Sequence, residues 1–327
     1  MKKHFSFVEI VRHGDAGVLE LRTKELHTPL AGEVLIKQKA SAINFIDVYH
    51  RTGFYPLPLP HGIGVEASGV VEEVGTGVTQ FRPGDRVVYV SKIPKAYAEY
   101  SYVQENEIIQ VPDTISLIEV AAVFMKGLTV IALFDYIEKI TPGSVAYLTA
   151  GSGGVGLLAC QYARHQGIDL IATASTDEKC QRMLHHGARF AINYKTESVI
   201  DRVMEITHGR GVPIVFDSCG EKTFNQSMQL IQPLGTFVSF GSSTGAVPPI
   251  NIQLLAERGS VKITRASVFN YIALRSRYIQ MSNNLFSAIS QKEIQPTINQ
   301  RYKLSEAHIA HSDLESRNNT GSSILEF

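Results

Sequence analysis

The sequence predicts an α/β protein in which a doubly wound parallel sheet is inserted into a β-rich module. Three observations carry this prediction. Short strand-like runs separated by Gly and Pro turns fill roughly the first 125 residues, among them EVLIKQKASAI, ASGVVEEVG, FRPGDRVVYV and AYAEYSYV. From about residue 143, apolar runs such as SVAYL and IDLIATAS alternate with helical stretches, which is the pattern of a parallel sheet covered on both faces. From about residue 270 a helix, a strand and a final helix follow, so the predicted domains are residues 1–125 with 270–327, and residues 126–269.

Composition and charge narrow the class of protein. A chain of 327 residues is long enough for about two domains, and its 31 basic and 31 acidic side chains cancel. This balance gives no support to a nucleic acid or an anionic membrane as partner. The three cysteines are far apart and include no CxxC pair, so we expect a reducing, cytoplasmic setting without disulfides or structural zinc. The longest apolar stretch, VAAVFMKGLTVIALF, is interrupted by Lys126 and is predicted to be too short to span a bilayer.

The loop TAGSGGVGLLA, residues 149–159, is the strongest local motif. It contains the G-x-G-x-x-G run Gly151-Ser152-Gly153-Gly154-Val155-Gly156, which follows a buried strand and opens a helix. In this context small residues let backbone N–H groups and the positive end of a helix face a pyrophosphate. The alternative is a tight strand–helix turn without a ligand. We predict a dinucleotide site.

The end of the next strand indicates which dinucleotide binds. NAD sites place an acid about 20 residues after the glycine motif to bind the ribose 2′-hydroxyl. In IATASTDEK the strand ends on Thr173-Ala174-Ser175 without an acid. Ser175 and Glu178 form an S-x-x-E pattern that predicts a capping box, with Asp177 in the first helical turn. Lys179 is then available for a 2′-phosphate, although it could also be a solvated surface lysine, and NADPH is favoured over NADH.

Several motifs in order carry a resemblance to a known family. They include INFIDVYHRTGFYP, GVEASGVVEEVG, FRPGDRVVY, FMKGLTV, AGSGGVG, SFGSSTGAV and LESRNNTGSS, and together they run over essentially the whole chain. The chain resembles the medium-chain dehydrogenase/reductase superfamily, and within it the zinc-free quinone oxidoreductases related to zeta-crystallin. The resemblance implies a Rossmann domain inserted in a GroES-like catalytic domain. It also implies a homodimer formed by edge pairing of the Rossmann sheets, for which GTFVSFG and SVKITR are the candidate edges.

The resemblance predicts an enzyme without a metal. Zinc-dependent members carry a metal-binding Cys where Asn44 stands and a His in a G-H-E motif where Val65 stands. Neither asparagine nor valine replaces a thiolate or an imidazole as a zinc ligand. His61 is expected to be a loop or pocket-edge hydrogen-bonding group, and His308 and His311 are expected to be surface residues.

The family's motifs also map site residues onto this chain. Asn44, Asp47, Tyr49 and Tyr55 fall in the implied nicotinamide and active-site segment, and Asp47 could instead cap a short helix. The implied cofactor contacts outside the glycine loop are Lys126, Thr129, Ser175, Phe240, Gly241 and Ser242. The implied 2′-phosphate ligands are Lys179, Tyr194 and Arg317. Relatives often have glycine where Ser175 stands, and serine is small enough to fit.

The predicted reaction is hydride transfer from NADPH to a quinone. Without a metal, a simple ketone would need a well-placed proton donor for its developing alkoxide, whereas a quinone delocalises the incoming charge. An alkene conjugated to a carbonyl does the same, so a reductase of α,β-unsaturated carbonyls is the alternative. A non-catalytic crystallin-like or RNA-binding protein is a further alternative, which the neutral charge and the lack of an aromatic-rich basic stripe do not support.

Overall fold

The chain folds into two compact units. The computed structural model describes residues 3–138, 140–316 and 319–327. Over the described residues, unit 1 comprises Met1–Met125, Arg275–Ser290 and Pro296–Phe327, and unit 2 comprises Lys126–Leu274 and Gln291–Gln295. The chain therefore returns to unit 1 at Arg275 rather than at residue 270, and a short segment near residue 293 belongs to unit 2.

The strands are β1 (His4–Ile10), β2 (Leu19–Glu25), β3 (Glu33–Ile43), β4 (His61–Gly62), β5 (Glu66–Val74), β6 (Arg86–Val90), β7 (Tyr100–Gln104), β8 (Ile108–Gln110), β9 (Val145–Leu148), β10 (Asp169–Ala174), β11 (Phe190–Asn193), β12 (Val212–Asp217), β13 (Ile231–Ser239), β14 (Lys262–Arg265), β15 (Ile298–Lys303) and β16 (Ser322–Glu326). The helices are α1 (Phe45–Thr52), α2 (Leu117–Ile131), α3 (Gly154–His165), α4 (Asp177–His186), α5 (Val199–Ile206), α6 (Phe224–Leu230), α7 (Gln253–Glu257), α8 (Val268–Tyr271), α9 (Arg275–Ser290) and α10 (Ala307–Glu315).

Unit 1 is built on two β-sheets. One has the strand order β2-β1-β4, and the other has the order β15-β16-β3-β5-β6-β8, with β7 also paired to β3. The long strand β3 is central because it pairs antiparallel with β5, β7 and β16. Buried apolar side chains from these strands form a core that includes Val34, Ile36, Ala67, Val87 and Val103. This is the β-rich module that the first 125 residues predict.

Unit 2 contains a six-stranded parallel sheet with the order β11-β10-β9-β12-β13-β14. Numbered from β9, this is the 3-2-1-4-5-6 order of the Rossmann fold, in which ligands bind at the carboxyl ends of the strands where the order reverses. The predicted α/β class and Rossmann topology are confirmed. The strand of GTFVSFG, β13, lies between β12 and β14, so its prediction as a sheet edge is wrong, and β14 takes the edge position.

Helix α2 is longer than its apolar sequence run indicates. It continues into a π-helical turn over Ala132–Ile137, so that the stretch Leu117–Ile137 is long and apolar enough to cross a membrane by length and composition. The prediction of a stretch too short for this is therefore wrong. Of its most apolar window, 78% is buried inside the protein, and a core helix of a soluble protein meets the same length and composition test.

The segment Gln291–Gln295 is bonded to α3 inside unit 2. The Gln161 side chain accepts a hydrogen bond from Gln295 N (2.7 Å) and donates one to Gln295 O (3.2 Å). One turn further along α3, His165 Nε2 lies 3.1 Å from Glu293 Oε1. The segment follows α9 and precedes β15 in the chain, yet its side-chain partners lie on the helix that begins at the glycine loop.

Candidate active site

Three of the four glycines in the loop of unit 2, those of the G-x-G-x-x-G motif, meet three different surroundings. A β-carbon on Gly151 would lie 2.5 Å from Met183 Sδ and 2.7 Å from Ala172 Cβ, so this glycine is required for packing against β10 and α4. A β-carbon on Gly156 would lie 2.4 Å from Gly151 O, so the start of α3 packs directly on the loop. On Gly153, the residue preceding α3, it would meet only Ala150 O at 3.4 Å. This combination of two tightly packed glycines and one open glycine is what a pyrophosphate-binding loop requires.

The rest of the loop has the geometry of a ligand cradle. Ala150 adopts a left-handed φ of 53°, which strains a residue with a β-carbon and turns the chain sharply after β9. Because the residue preceding α3 is a glycine, no side chain of its own caps the first-turn N–H groups of that helix. Ser152 is buried, and Gly154 and Val155 are half-buried. The residues present therefore fit the pyrophosphate of a dinucleotide, held by backbone N–H groups at a helix N-terminus.

Residues 240–242 lie beside this loop at the carboxyl edge of the sheet. Phe240 N donates to Asp217 O at the end of β12 (2.8 Å), and a β-carbon on Gly241 would lie 2.4 Å from Ser218 O. Ser218 N in turn donates to Thr149 Oγ1 at the end of β9 (2.9 Å). The predicted cofactor contacts Phe240, Gly241 and Ser242 thus follow the strand that neighbours β12, at the same end of the sheet as the glycine loop.

The predicted 2′-phosphate region forms at the end of β10. Tyr194 N donates to Ala174 O (3.1 Å), which brings the exposed Tyr194 next to Ser175, and Lys179 lies in the first turn of α4. The residue that caps α4 is Thr176, whose Oγ1 accepts from Lys179 N at 3.2 Å. The predicted capping box of Ser175 and Glu178 is therefore wrong by one residue.

Three further predicted cofactor residues are separate from the glycine loop in sequence. Lys126 and Thr129 lie on α2, where Lys126 is buried at 7% exposure and Thr129 is half-buried. Arg317 lies outside the residues that the structure describes.

In unit 1, the start of helix α1 presents Asn44. Its Nδ2 donates to Glu66 Oε1 at 2.7 Å, and Glu66 Oε2 accepts from Met125 N at 2.8 Å. Glu66 is fully buried at the first position of β5, so its carboxylate holds the amide group of Asn44 in place. The GVE motif therefore retains a functional partner for Asn44 even though valine stands at its central position.

A cluster of aromatic rings lies on α1 and on the turn that follows it. Tyr49 lies at the centre of this cluster. Its ring centroid is 5.2 Å from that of Tyr55, 5.3 Å from that of Phe54 and 6.2 Å from that of Phe45. Helix α1 ends at Gly53, whose left-handed φ of 80° turns the chain so that Tyr55 N can donate to Tyr49 O (3.0 Å). The structure thus brings the predicted residues Tyr49 and Tyr55 into contact, and it places Asn44 directly before the helix that carries Tyr49.

Asp47 belongs to a buried chain of hydrogen bonds beneath α1. Its Oδ2 accepts from Asn44 N (2.8 Å) and from the hydroxyl of Tyr97 (3.0 Å), and the residue is fully buried. Tyr97 Oη lies 3.1 Å from His311 Nε2, and His311 Nδ1 lies 3.3 Å from Arg51 Nη1. Because a guanidinium only donates, His311 accepts at Nδ1 and donates from Nε2. This arrangement favours the capping alternative for Asp47, as a positioning residue.

Helix α10 closes this chain of hydrogen bonds. Arg51, 1% exposed, donates to both carboxylate oxygens of Glu315 at 2.8 Å, and its Nε donates to Gly14 O at 3.2 Å. Burial and the nearby Arg51 charge lower the pKa of His311 to about 3. The prediction of His311 as a surface residue is wrong, whereas His308 is exposed.

We expect stability to fall as the pH drops below 6.5. Burial and the charge of His61 also lower the pKa of His50, to about 4. The unfolded chain binds protons at both histidines below pH 6.5, while the folded chain does not until pH 3–4, so protons favour unfolding over this interval. In urea denaturation between pH 4.5 and 7, His311→Gln should reduce the slope by up to about 1.4 kcal/mol per pH unit. His308→Gln on the same helix is the control, and an equal slope in both variants would contradict this role for His311.

Glu66, Tyr97, Arg51, His311 and Glu315 were not singled out from the sequence as site residues. The sequence does contain a signal for Glu66, because Glu66 is the last residue of the GVE motif. The central residue of that motif, Val65, stands where zinc-dependent members of the superfamily have a metal ligand. Of the other four, His311 and Glu315 are one turn apart on α10, but Arg51 and Tyr97 are far from that helix in sequence, and only the fold brings them together. Among the described residues, no group of three or more His, Cys, Asp and Glu side chains is placed to hold a metal ion. Val65, which stands where zinc-dependent members of the superfamily carry a histidine, is fully buried.

Comparisons with known proteins agree with both units. The family model described as alcohol dehydrogenase GroES-like domain matches residues 30–113, and that described as zinc-binding dehydrogenase matches residues 154–287. The chain is 42% identical to a quinone oxidoreductase of Salmonella typhimurium over 321 residues, covering 97% of this chain and 98% of that protein. It is 35% identical to a 2-haloacrylate reductase of a Burkholderia species over 306 residues, covering 91% and 92%. Among solved structures, Escherichia coli quinone oxidoreductase complexed with NADPH superposes with a TM-score of 0.97 at 40% identity, covering 98% of this chain and all of that one.

Proposed function

Because the chain belongs to the quinone oxidoreductase family of medium-chain dehydrogenases/reductases, we propose that it is an NADPH-dependent reductase of quinones. The shared name of its relatives supports the substrate class, and the NADPH complex of the E. coli protein supports the cofactor. The acid-free end of β10 together with Lys179 supports the same choice of cofactor.

The observation that carries the proposal is the Asn44 amide, which buried Glu66 holds at the start of α1, the helix that also carries Tyr49. An amide offers neutral hydrogen bonds to a carbonyl oxygen but little stabilisation of a full alkoxide. A quinone needs no more than this, because its ring delocalises the charge that arrives with the hydride. The exposed Phe54 ring and the half-buried Tyr55 ring suit a flat substrate, with the buried Tyr49 packed against both, and the Tyr55 hydroxyl can donate to a substrate oxygen.

Different residues would bind the cofactor and orient the substrate. In unit 2, the glycine loop would hold the pyrophosphate, Lys179 and Tyr194 the 2′-phosphate, and Lys126, Thr129 and Ser242 other parts of the cofactor. The bound NADPH supplies the hydride. In unit 1, Asn44 and the tyrosines orient the acceptor, and Asp47 and Glu66 fix the start of α1 so that the Asn44 amide keeps one orientation.

A reductase of α,β-unsaturated carbonyls is the second candidate, favoured by the 35% identity to 2-haloacrylate reductase. The same aromatic surface and amide could bind an activated alkene. Steady-state turnover of 1,4-benzoquinone and of crotonaldehyde with NADPH separates the two. We expect the larger kcat/KM for the quinone, and a clear preference for crotonaldehyde would replace the first assignment by the second.

Cofactor choice is tested at Lys179. Replacing Lys179 with alanine is expected to raise the Kd for NADPH about tenfold and that for NADH less than twofold, because only NADPH presents a phosphate to the cation. Fluorescence titration measures both constants. Equal effects on the two cofactors would remove Lys179 from the phosphate site, and failure of the unaltered protein to bind either cofactor would overturn the enzymatic function.

We further propose a cytoplasmic homodimer. The free cysteines of the described chain, two of them buried, suit a reducing compartment. Strand β14 is half-exposed at the edge of the Rossmann sheet, and a second copy of β14 could extend that sheet. Sedimentation equilibrium tests the assembly, and a mass of one chain at micromolar concentration would contradict it.

A further inference from the structure

Two opposite charges stand at the end of β10, where the adenosine ribose of a dinucleotide binds in this fold. Asp177 and Lys179 both lie in the first turn of α4. β10 itself ends without an acid at Ala174, and Asp177 stands three residues later, as the first residue of α4. A carboxylate at this point would repel a 2′-phosphate, so the site carries one residue suited to NADH and one suited to NADPH.

The structure shows that the acid is already engaged. Asn193 Nδ2 donates to Asp177 Oδ1 at 2.7 Å. Asn193 is the last residue of β11, where it stands in register with Ala174 of β10. The asparagine therefore reaches Asp177 from the neighbouring strand.

Asn193 is itself held in one orientation. It is 5% exposed, its Oδ1 accepts from Lys195 N at 3.1 Å, and its backbone N donates to Glu197 Oε1 at 2.9 Å. Because Oδ1 faces a backbone donor, the amide nitrogen must face Asp177. The contact is thus set by buried backbone geometry and not by two mobile surface side chains.

We propose that Asn193 is a specificity-determining residue that binds the Asp177 carboxylate to the end of β11 and so lets the site accept a 2′-phosphate. The inference rests on the proposed use of NADPH and adds a reason why the acid in the first turn of α4 does not exclude it. Asn193 acts through Asp177, so it is a positioning residue that touches neither substrate nor hydride.

The test is a double-mutant cycle of Asn193→Ala, Asp177→Asn and the two combined, with the Kd for NADPH and for NADH measured by fluorescence titration. Asn193→Ala releases the carboxylate and should shift the ratio of the two constants about fivefold toward NADH, the size of one screened charge interaction. Asp177→Asn alone should change the ratio less than twofold, because the carboxylate is already bound by the Asn193 amide. In the combined variant the shift caused by Asn193→Ala should disappear.

The outcomes separate this inference from the function on which it rests. Equal weakening of both cofactors in Asn193→Ala, or a shift that persists in the combined variant, would overturn the role of Asn193. A large gain in NADPH affinity from Asp177→Asn alone would also overturn it, since it would mean that the acid opposes the phosphate in the unaltered protein. If the unaltered protein prefers NADH, the proposed cofactor itself is wrong. Should Asn193→Ala unfold, Asn193→Ser keeps an acceptor for Lys195 N while losing the reach to Asp177, and it is expected to give the same shift.

Discussion

Replacing Gly153 with valine is expected to raise the Kd for NADPH at least about 100-fold while the protein stays folded. The substitution would remove the contact between this loop and the pyrophosphate, which consists of several charge-assisted hydrogen bonds. The backbone at Gly153 is extended, with φ −77° and ψ 178°, which valine adopts readily. Within the protein the added β-carbon meets only Ala150 O at 3.4 Å. The two methyl groups would instead occupy the space that a pyrophosphate needs in order to reach the backbone N–H groups of α3.

Gly156→Ala is the matched control, with the opposite pattern. Its β-carbon would lie within 2.6 Å of Gly151 O, Gly151 C and Ala150 O, so the loop and the helix must separate. We expect a loss of about 3 kcal/mol in the free energy of unfolding and a melting midpoint lowered by on the order of 10 °C. Thermal melts and NADPH titrations of both variants distinguish fold from binding. NADPH affinity that survives in folded Gly153→Val would mean that this loop does not hold the pyrophosphate.

The second large effect is expected at the ion pair between α1 and α10. Removing the carboxylate by Glu315→Ala leaves the Arg51 cation buried without its charged partner, and we expect a loss of about 3–4 kcal/mol in the free energy of unfolding. Arg51→Met removes the buried charge and fills much of its volume, and it leaves a carboxylate that is 38% exposed to water. The methionine variant should therefore be the more stable of the two, although it deletes the larger number of hydrogen bonds.

The chain offers a close control for this comparison. Glu326 is as exposed as Glu315, at 36%, and it pairs with Arg301, which is 53% exposed instead of buried. Glu326→Ala should cost less than about 1 kcal/mol, as surface ion pairs do. Urea denaturation of the three variants at pH 7 measures the differences. Similar losses for Glu315→Ala and Glu326→Ala would show that burial of the cation does not set the energy of the α1–α10 pair.

The features that the sequence predicts correctly are those that depend on residues close together in the chain. The glycine loop is such a case, because each glycine acts on atoms of the same turn or of the adjoining strand. The parallel character of the sheet in unit 2 follows from alternating strands and helices, whose crossovers are restricted to one hand. The helix cap at Thr176 was missed by one residue because serine and threonine cap equally well, and only the backbone decides between neighbours.

The hydrogen bonds beneath α1 could not be predicted in this way. Tyr97 is 50 residues from Asp47 and 214 residues from His311, so no spacing rule relates them. A histidine one turn from the end of a polar helix is indistinguishable in sequence from a surface residue, and His311 is buried only because strands of unit 1 pack against α10. The contact between Asn193 and Asp177 is hidden for a related reason, since it depends on the register of β10 with β11.

The short segment Gln291–Gln295 has a consequence for exchanging cofactor units between related enzymes. A fragment cut from residues 126–274 would leave behind both partners of α3, because Gln295 fills the hydrogen bonds of the buried Gln161 side chain and Glu293 faces His165. A chimera that takes its dinucleotide-binding unit from another protein must therefore replace two separate stretches of chain. If only the first stretch were replaced, the α3 helix of the new unit would face a Gln291–Gln295 segment that comes from a different protein.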